Sequence, residues 1–362
     1  MSSYLHGPTM NTPVANSPHA AASGASPRLR LLALGLGLVL FAILVNRLGL
    51  DALRHNLRQS GWVLLPVLGL WLAAYCCNAL SWRLLMAGQP GRPGFGTILS
   101  TTISGFALNY ATPILSVGGE ALKLAAATRW LGNPRKGAGS VVGYRLLFTT
   151  AHVTIMLGAV VVAAAHGSAV PAAQWALAAC ALVLLIDMLV LLSVHRAGAL
   201  LRLLDLIPKI PGISRLAGKA ESKREALAEI DQQITALYRH RPALFWLALM
   251  SELTARTLTL GEFYLVPRSL GLQVSVADAF AMGGLTSLAS LIMFIVPYGL
   301  GAKEAGSLGA FRLLGYDPSI GVYTAVVGRL RELCWIGIGL LILAFGRGEW
   351  RKEKGEGNCP ES

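Results

Sequence analysis

Charge is what this sequence has least of. Only 14% of its 362 residues are Asp, Glu, Lys or Arg, and 54% are hydrophobic. Soluble domains carry about 25% charged residues, so a surface built mainly for water is excluded. Acidic side chains are scarcer still, 18 against 31 Lys and Arg, for a net charge of +13. That excess sits in the segments between apolar runs, where it speaks for membrane orientation and anionic lipid rather than for nucleic acid. The five cysteines (Cys76, Cys77, Cys180, Cys334 and Cys359) have no metal-ligand spacing, and four lie in apolar segments as small packing residues. No metal and no cofactor is expected. The sequence has no G-x-x-x-x-G-K-[ST] phosphate loop, no H-E-x-x-H and no G-x-S-x-G. The segment GLGAKEAG (299–306) shares only its glycines with a phosphate cradle. ATP-driven work by this chain alone is not expected, and the chain does not read as an enzyme.

What it has in abundance is apolar sequence in runs of roughly 18–25 residues, enough to span a ~30 Å hydrocarbon core as helix. Residues 1–28, rich in Pro, Ser, Ala and Asn, read as a disordered tail. A membrane domain follows over 29–345. Its spans fall at about 29–46, 62–82, 138–163, 172–194, 243–266 and 320–345. A polar, basic loop at 195–242 separates the two halves, and Leu227, Ile230, Ile234 and Leu237 recur in it at the spacing of an interfacial amphipathic helix. A basic tail, 346–362, closes the chain.

The chain states its central stretch twice. A shift of 184 positions (297 − 113) puts Pro113 on Pro297, Glu120 on Glu304, Pro134 on Pro318 and Arg145 on Arg329 without a gap. Trp62 falls on Trp246, Thr102 on Thr286 and Gly137 on Gly321 in the same register. Between the spans of each half lie apolar segments too short to cross, 97–131 and 280–316, broken at Pro113 and Pro297. A helix cannot run smoothly through an internal proline, and broken backbone at membrane depth must be buried in protein or face a wet cavity. Each segment therefore reads as a re-entrant hairpin.

The expected fold is all-α and polytopic, with six crossings plus two re-entrant hairpins. Its repeat units, about 62–163 and 246–345, each run span–hairpin–span. Three crossings separate equivalent points, so the units are antiparallel and form an inverted repeat, the architecture of secondary transporters. Six crossings put both termini on one side. Arg28, Arg30, Arg83, Arg92, Arg129, Arg135, Lys136, the 195–242 loop and the tail share it, against Arg47, Arg54, Arg58 and Arg268 on the other. The positive-inside rule makes that side the cytoplasm.

NYATPILSVGGEALK (109–123), VPYGLGAKEAG (296–306) and an Arg-bearing last span together resemble the flippase-like family typified by the transmembrane region of lysylphosphatidylglycerol synthase. The likeness covers about residues 30–345. It implies a lipid flippase of the bacterial cytoplasmic (inner) membrane, in a standalone form; some standalone members are associated with hopanoid lipids. By that match Asn109, Pro113, Gly118, Gly119, Glu120 and Lys123 are carried to the first hairpin. Pro297, Gly299, Gly301 and Glu304 go to the second, with Arg145 and Arg329 on the spans that follow. A soluble aminoacyl-transferase domain is not seen, so synthesis of lysylphosphatidylglycerol is not implied. The expected partner is a membrane lipid with an anionic or modified headgroup, with a lipid-synthesis enzyme or a second copy as protein partners. A membrane-embedded lipid or glycosyl transferase, or a non-catalytic subunit of a lipid-modifying synthase, are the alternatives.

An ionised side chain at the bilayer centre costs at least about 2.5–3.5 kcal/mol on insertion scales, so each intramembrane charge needs a reason. Glu120 and Glu304 stand at the start of a returning half-helix, where a carboxylate suits the dipole. They cap it, or pair with Arg145 and Arg329, or bind a cationic or hydroxylated headgroup. The two arginines either snorkel to the interface or grip a lipid phosphate with their forked donors. All four are expected to meet in one midplane cavity. His152 and Glu332 share faces with the arginines; His152 reads as a packing histidine ahead of a proton shuttle. Glu252 and Arg256 read as an i,i+4 ion pair. Asp187 and Glu262 receive no role.

Overall fold

The computed structural model describes residues 58, 60–111, 118–166, 171–197, 224, 228, 232, 241–292 and 301–345. The span expected at 29–46, both tails, most of the 195–242 loop with its amphipathic helix, and Pro113, Pro297 and Gly299 lie outside the described residues. Within them the structure is helical, with no strand. We number the helices α1 (Leu64–Leu85, entered by a 3₁₀ turn at Gly61–Val63), α2 (Phe95–Ala111), α3 (Gly118–Leu131), α4 (Pro134–Ala165), α5 (Pro171–Ala197), α6 (Pro242–Leu260), α7 (Glu262–Ser269), α8 (Val276–Ile292), α9 (Ala302–Leu313) and α10 (Pro318–Phe345).

Three of these, over Gly61–Leu85, Pro134–Ala165 and Pro171–Leu191, are long and apolar enough to cross a membrane. Their outward faces carry large apolar side chains such as Leu65, Leu72, Leu182, Ile186 and Leu189. So extended an exposed apolar surface has lipid as its natural solvent. Helix α10, at 28 residues, has the length but carries Arg329, Arg331 and Glu332 inside it. The two segments expected as hairpins are each a pair of short helices. At ~1.5 Å per residue the 17 residues of α2 reach about 25 Å and the 14 of α3 about 21 Å, both short of a ~30 Å core. Helices α8 and α9, of 17 and 12 residues, are alike in this.

Local chemistry explains the ends. After α3, Gly132 turns the chain with φ of +62°, a value other side chains rarely adopt. Asn133 then caps α4, its Oδ1 accepting from the Arg135 and Lys136 amides at 2.8 and 3.3 Å, with Pro134 at the first helical position. The second half repeats the device: Asp317 Oδ1 accepts from the Ser319 amide at 2.9 Å and Pro318 opens α10. Hydroxyls within the apolar helices bond back to the preceding turn, Thr102 to the Ile98 carbonyl at 2.8 Å and the matched Thr286 to that of Met282 at 2.7 Å. This hides their polarity without a tertiary partner. The span read as one run over 243–266 is corrected to two helices meeting at Gly261, where Leu70 of α1 fills the space a Cβ would need.

The packing follows the repeat. Helices α1 and α6 lie against each other, and each short pair packs on the opposite half's long helix: α2 on α10, α8 on α4. One buried cluster joins Ala79, Trp82, Ile98 and Ala127; another joins Phe263, Met282 and Phe311. Ala79 and Phe263, Ile98 and Met282, and Ala127 and Phe311 are matched positions in the 184-residue register. These equivalent positions thus build equivalent cores, with Phe263 and Phe311 where the first half has Ala79 and Ala127.

Candidate functional site

Helix α3 is seated by two of the expected site residues. Asn109, near the end of α2, accepts from the Gly119 amide at 2.7 Å, satisfying a donor at the N-terminus of α3. A Cβ on Gly119 would run into the Gly105 carbonyl and the Asn109 side chain, so only glycine permits this approach. In α9 the same need is met differently. Gly301, at φ of +80°, donates its amide to Glu304 Oε2 at 2.8 Å. Gly118 starts α3, and Lys123, buried, lies 3.4 Å from Glu120 and over the Tyr144 ring.

Each half then closes its own carboxylate–guanidinium pair. Arg145 Nη1 stands 3.7 Å from Glu120 Oε1, and Arg329 Nε stands 2.8 Å from Glu304 Oε1. Both arginines come 11 residues after the proline that opens their helix (145 − 134 and 329 − 318), about 17 Å along it. Of the readings of the carboxylates, pairing with Arg145 and Arg329 is seen, one pair in each half, because each returning half-helix packs on the long helix that directly follows it. Glu304 meets two of the readings: it caps α9 and binds Arg329 at once.

Around Arg329 the second pair grows into a buried network. Arg329 Nη1 reaches Glu332 at 3.0 Å, Lys303 lies 3.1 Å from Glu332 and 3.6 Å from Glu262, and Arg331 lies 3.2 Å from Glu262. Arg331 is fully buried with Trp71 stacked 3.5 Å from its guanidinium carbon, a desolvated cation–π contact. Tyr110 of α2 hydrogen-bonds Glu332, bringing the first hairpin to the network. Three cations (Lys303, Arg329, Arg331) face three carboxylates (Glu262, Glu304, Glu332), so it is neutral in sum.

The first half is unlike this. The position matched to Glu332 is Phe148, and its ring lies between Arg145 at 5.0 Å and Arg256 at 4.2 Å. The position matched to Glu262 is Asn78, whose Oδ1 accepts from Arg256 at 3.5 Å. The expected Glu252–Arg256 ion pair does not close: Arg256 turns to Asn78 and Phe148, and neither oxygen of Glu252 has a hydrogen-bond partner among the described residues. His152 stacks on Phe148, in keeping with a packing role. Lys303, Arg331 and Tyr110 carry no signal of their own in the sequence, and Glu262, which receives no role there, stands among them in the network. Glu262 could have been found, because its match with Asn78 pairs two polar residues inside matched apolar runs. No group of three or more His, Cys, Asp or Glu able to hold a metal occurs among the described residues.

A helical membrane protein with charge networks inside its helices is the class these observations define. The chain belongs to the family described as the lysylphosphatidylglycerol synthase TM region, whose model matches residues 30–340. No curated protein and no solved structure matches the chain.

Proposed function

We propose that this protein translocates a phosphate-bearing lipid across the cytoplasmic membrane of a bacterium, as a carrier rather than an enzyme. The matched pairs Glu120–Arg145 and Glu304–Arg329, each about 17 Å into its long helix, carry the proposal. An inverted repeat would bring two such pairs to similar depth from opposite sides, one per leaflet. Helices α2–α3 and α8–α9 would be re-entrant hairpins, both termini would be cytoplasmic, and the Arg145 guanidinium would alternate between its carboxylate and the lipid phosphate while the buried Arg329 pair holds the second half in place. Arginine suits that exchange because its planar fork binds carboxylate and phosphate in the same bidentate way. Membrane family, apolar outer surface and internal charge support a lipid-handling role. A lipid-synthesis enzyme would supply the cargo, and a second copy of the chain is an expected partner.

The test is reconstitution of the full chain in vesicles carrying fluorescent phosphatidylglycerol in both leaflets, followed by quenching of the outer leaflet. Translocation in wild type that falls in an Arg145→Gln variant of unchanged helicity supports the reading. Equal quenching with and without the protein overturns it.

A further inference from the structure

Glu252 is the carboxylate that the matched pairs leave unused. It lies on α6, is 0% exposed, and has no hydrogen-bond partner at either oxygen among the described residues. The matched position in the first half is Leu68, so it has no repeat equivalent. The groups facing it are Arg256 one turn along its own helix, Cys77 and Ser81 of α1, Tyr144 of α4 and Lys123 of α3. No cation supplies a hydrogen bond to its oxygens: Arg256 is turned to Asn78 and Phe148, Lys123 to Glu120 and the Tyr144 ring, and the neutral Ser81 hydroxyl that faces the carboxylate offers at most one weak contact. A buried carboxylate kept ionised for structural reasons is ordinarily held by such bonds. Glu304 and Glu332, in the other half, are held in that way.

The charge count around it gives this vacancy a consequence. Lys123, Arg145 and Arg256 face Glu120 and Glu252, an excess of one cation when both carboxylates are ionised and of two when Glu252 is protonated. The charges described in the second-half network sum to zero. A lipid phosphate is therefore drawn to the first half, at the Phe148 ring that Arg145 and Arg256 share, and more strongly when Glu252 carries a proton.

We propose that Glu252 is a proton-binding site linked to anion binding at Arg145 and Arg256, so that proton and lipid phosphate load together. This rests on the reading of the protein as a carrier of phosphate-bearing lipid, and it names the coupling ion. The charges balance: one proton enters on the carboxylate oxygen as one anionic phosphate enters beside the guanidinium groups, and the site's net charge is the same loaded as empty.

The experiment measures binding, with no translocation step. Short-chain phosphatidylglycerol is titrated into the detergent-solubilised full chain in weakly buffered solution with a pH-sensitive dye, from mildly acidic to mildly alkaline. Expected is net proton uptake on lipid binding in alkaline buffer, with an affinity that strengthens toward acid by up to tenfold per pH unit, the limit for about one linked proton. Glu252→Gln, a neutral mimic of the protonated side chain, should bind at the acid-like affinity across the range without taking up protons. Binding without proton uptake in wild type, or uptake that survives in Glu252→Gln, overturns the proposal. So does a Glu252→Gln chain that loses its helicity, because the ionised carboxylate would then be structural. Absence of any phosphatidylglycerol binding also overturns it. A chain that binds with proton uptake but does not flip lipid keeps this inference and loses the translocation reading.

Discussion

Arg329 touches Glu304 at 2.8 Å, while the matched Arg145 stands 3.7 Å from Glu120. Same register, same residue types, different closure: Glu304 is fully buried, whereas Arg145 is exposed over about half its side chain, 57%. The second pair is therefore held by the protein and the first is open to exchange. Glu304→Gln removes both the Arg329 counter-charge and the negative end of the α9 cap. Losing one partner of a buried ion pair costs about 3–5 kcal/mol, so this variant should show a marked loss of folded protein in membranes. Glu120→Gln should lose far less. Quantitative immunoblots of membrane fractions, with thermal unfolding in detergent, compare the two.

Gly119 and Gly309 form a second contrast. A methyl group on Gly119 would strike the Gly105 carbonyl, backbone that cannot step aside, and the Asn109 side chain; on Gly309 it meets nothing within 4 Å. Gly119→Ala should destabilise by splaying α2 from α3. Gly309→Ala, inside α9, should be neutral or stabilise by about 0.4–1 kcal/mol through the less flexible unfolded chain. Melting temperatures of the two variants check both signs.

Where α4 ends and α8 begins, His166 Nε2 meets Asp278 Oδ1, and Asp278 Oδ2 also accepts from Ser275 at 2.8 Å and Tyr316 at 2.7 Å. Asp278 thus ties α8 to the end of α4 and to the turn before α10. Asp278→Asn keeps the size but weakens three part-buried contacts at once, each worth about 0.5–1.5 kcal/mol net. His166→Ala removes only one pair at a part-exposed ring, worth at most about 1 kcal/mol. Unfolding midpoints should rank wild type, His166→Ala, Asp278→Asn in falling order.

These pairs show what the sequence makes legible. Apolar run length locates α1, α4 and α5 to within a few residues, because burial along a whole helix leaves its mark on every position. The 184-residue register brings Glu120 to Arg145 and Glu304 to Arg329, because both partners repeat. It is silent where the halves diverge: Phe148 stands where Glu332 does, and Asn78 where Glu262 does. The Lys303–Glu332 and Arg331–Glu262 contacts join separate helices at 29 and 69 residues' distance (332 − 303 and 331 − 262), with no periodicity to announce them. Likewise Glu252 and Arg256 have ideal i,i+4 spacing yet do not pair, because Asn78 and Phe148 offer the guanidinium a better seat. Tertiary competition of that kind leaves no local trace.

The proposed topology places the 195–242 loop in the cytoplasm and the 47–58 segment outside, on the tally of Lys and Arg. Single cysteines introduced at Arg54 and Arg224, in a chain whose own cysteines are replaced by alanine or serine, should label oppositely. An impermeant maleimide added to intact cells should modify the first and spare the second. Labelling at position 224 from outside overturns the inverted repeat along with the orientation.

The last prediction separates the two arginines by a substitution that keeps the charge. Lysine at position 145 retains attraction for a phosphate but gives up the forked donors and the flat contact with Phe148. Because Arg145 has a single carboxylate neighbour among the described residues, at 3.7 Å, folding should be little affected and lipid flip should fall about tenfold, the equivalent of 1.4 kcal/mol. Lysine at position 329 meets a different surrounding. Arg329 satisfies Glu304 and Glu332 from separate nitrogens at 2.8 and 3.0 Å, and an ammonium on a shorter reach cannot hold both. That leaves a buried carboxylate short of a donor, so Arg329→Lys should lose folded protein first and transport with it. Flip rates normalised to membrane abundance, with circular dichroism on each purified chain, make the distinction. If both variants fold and flip as wild type does, the guanidinium groups neither grip phosphate nor hold the second network, and the assignment of this site is wrong.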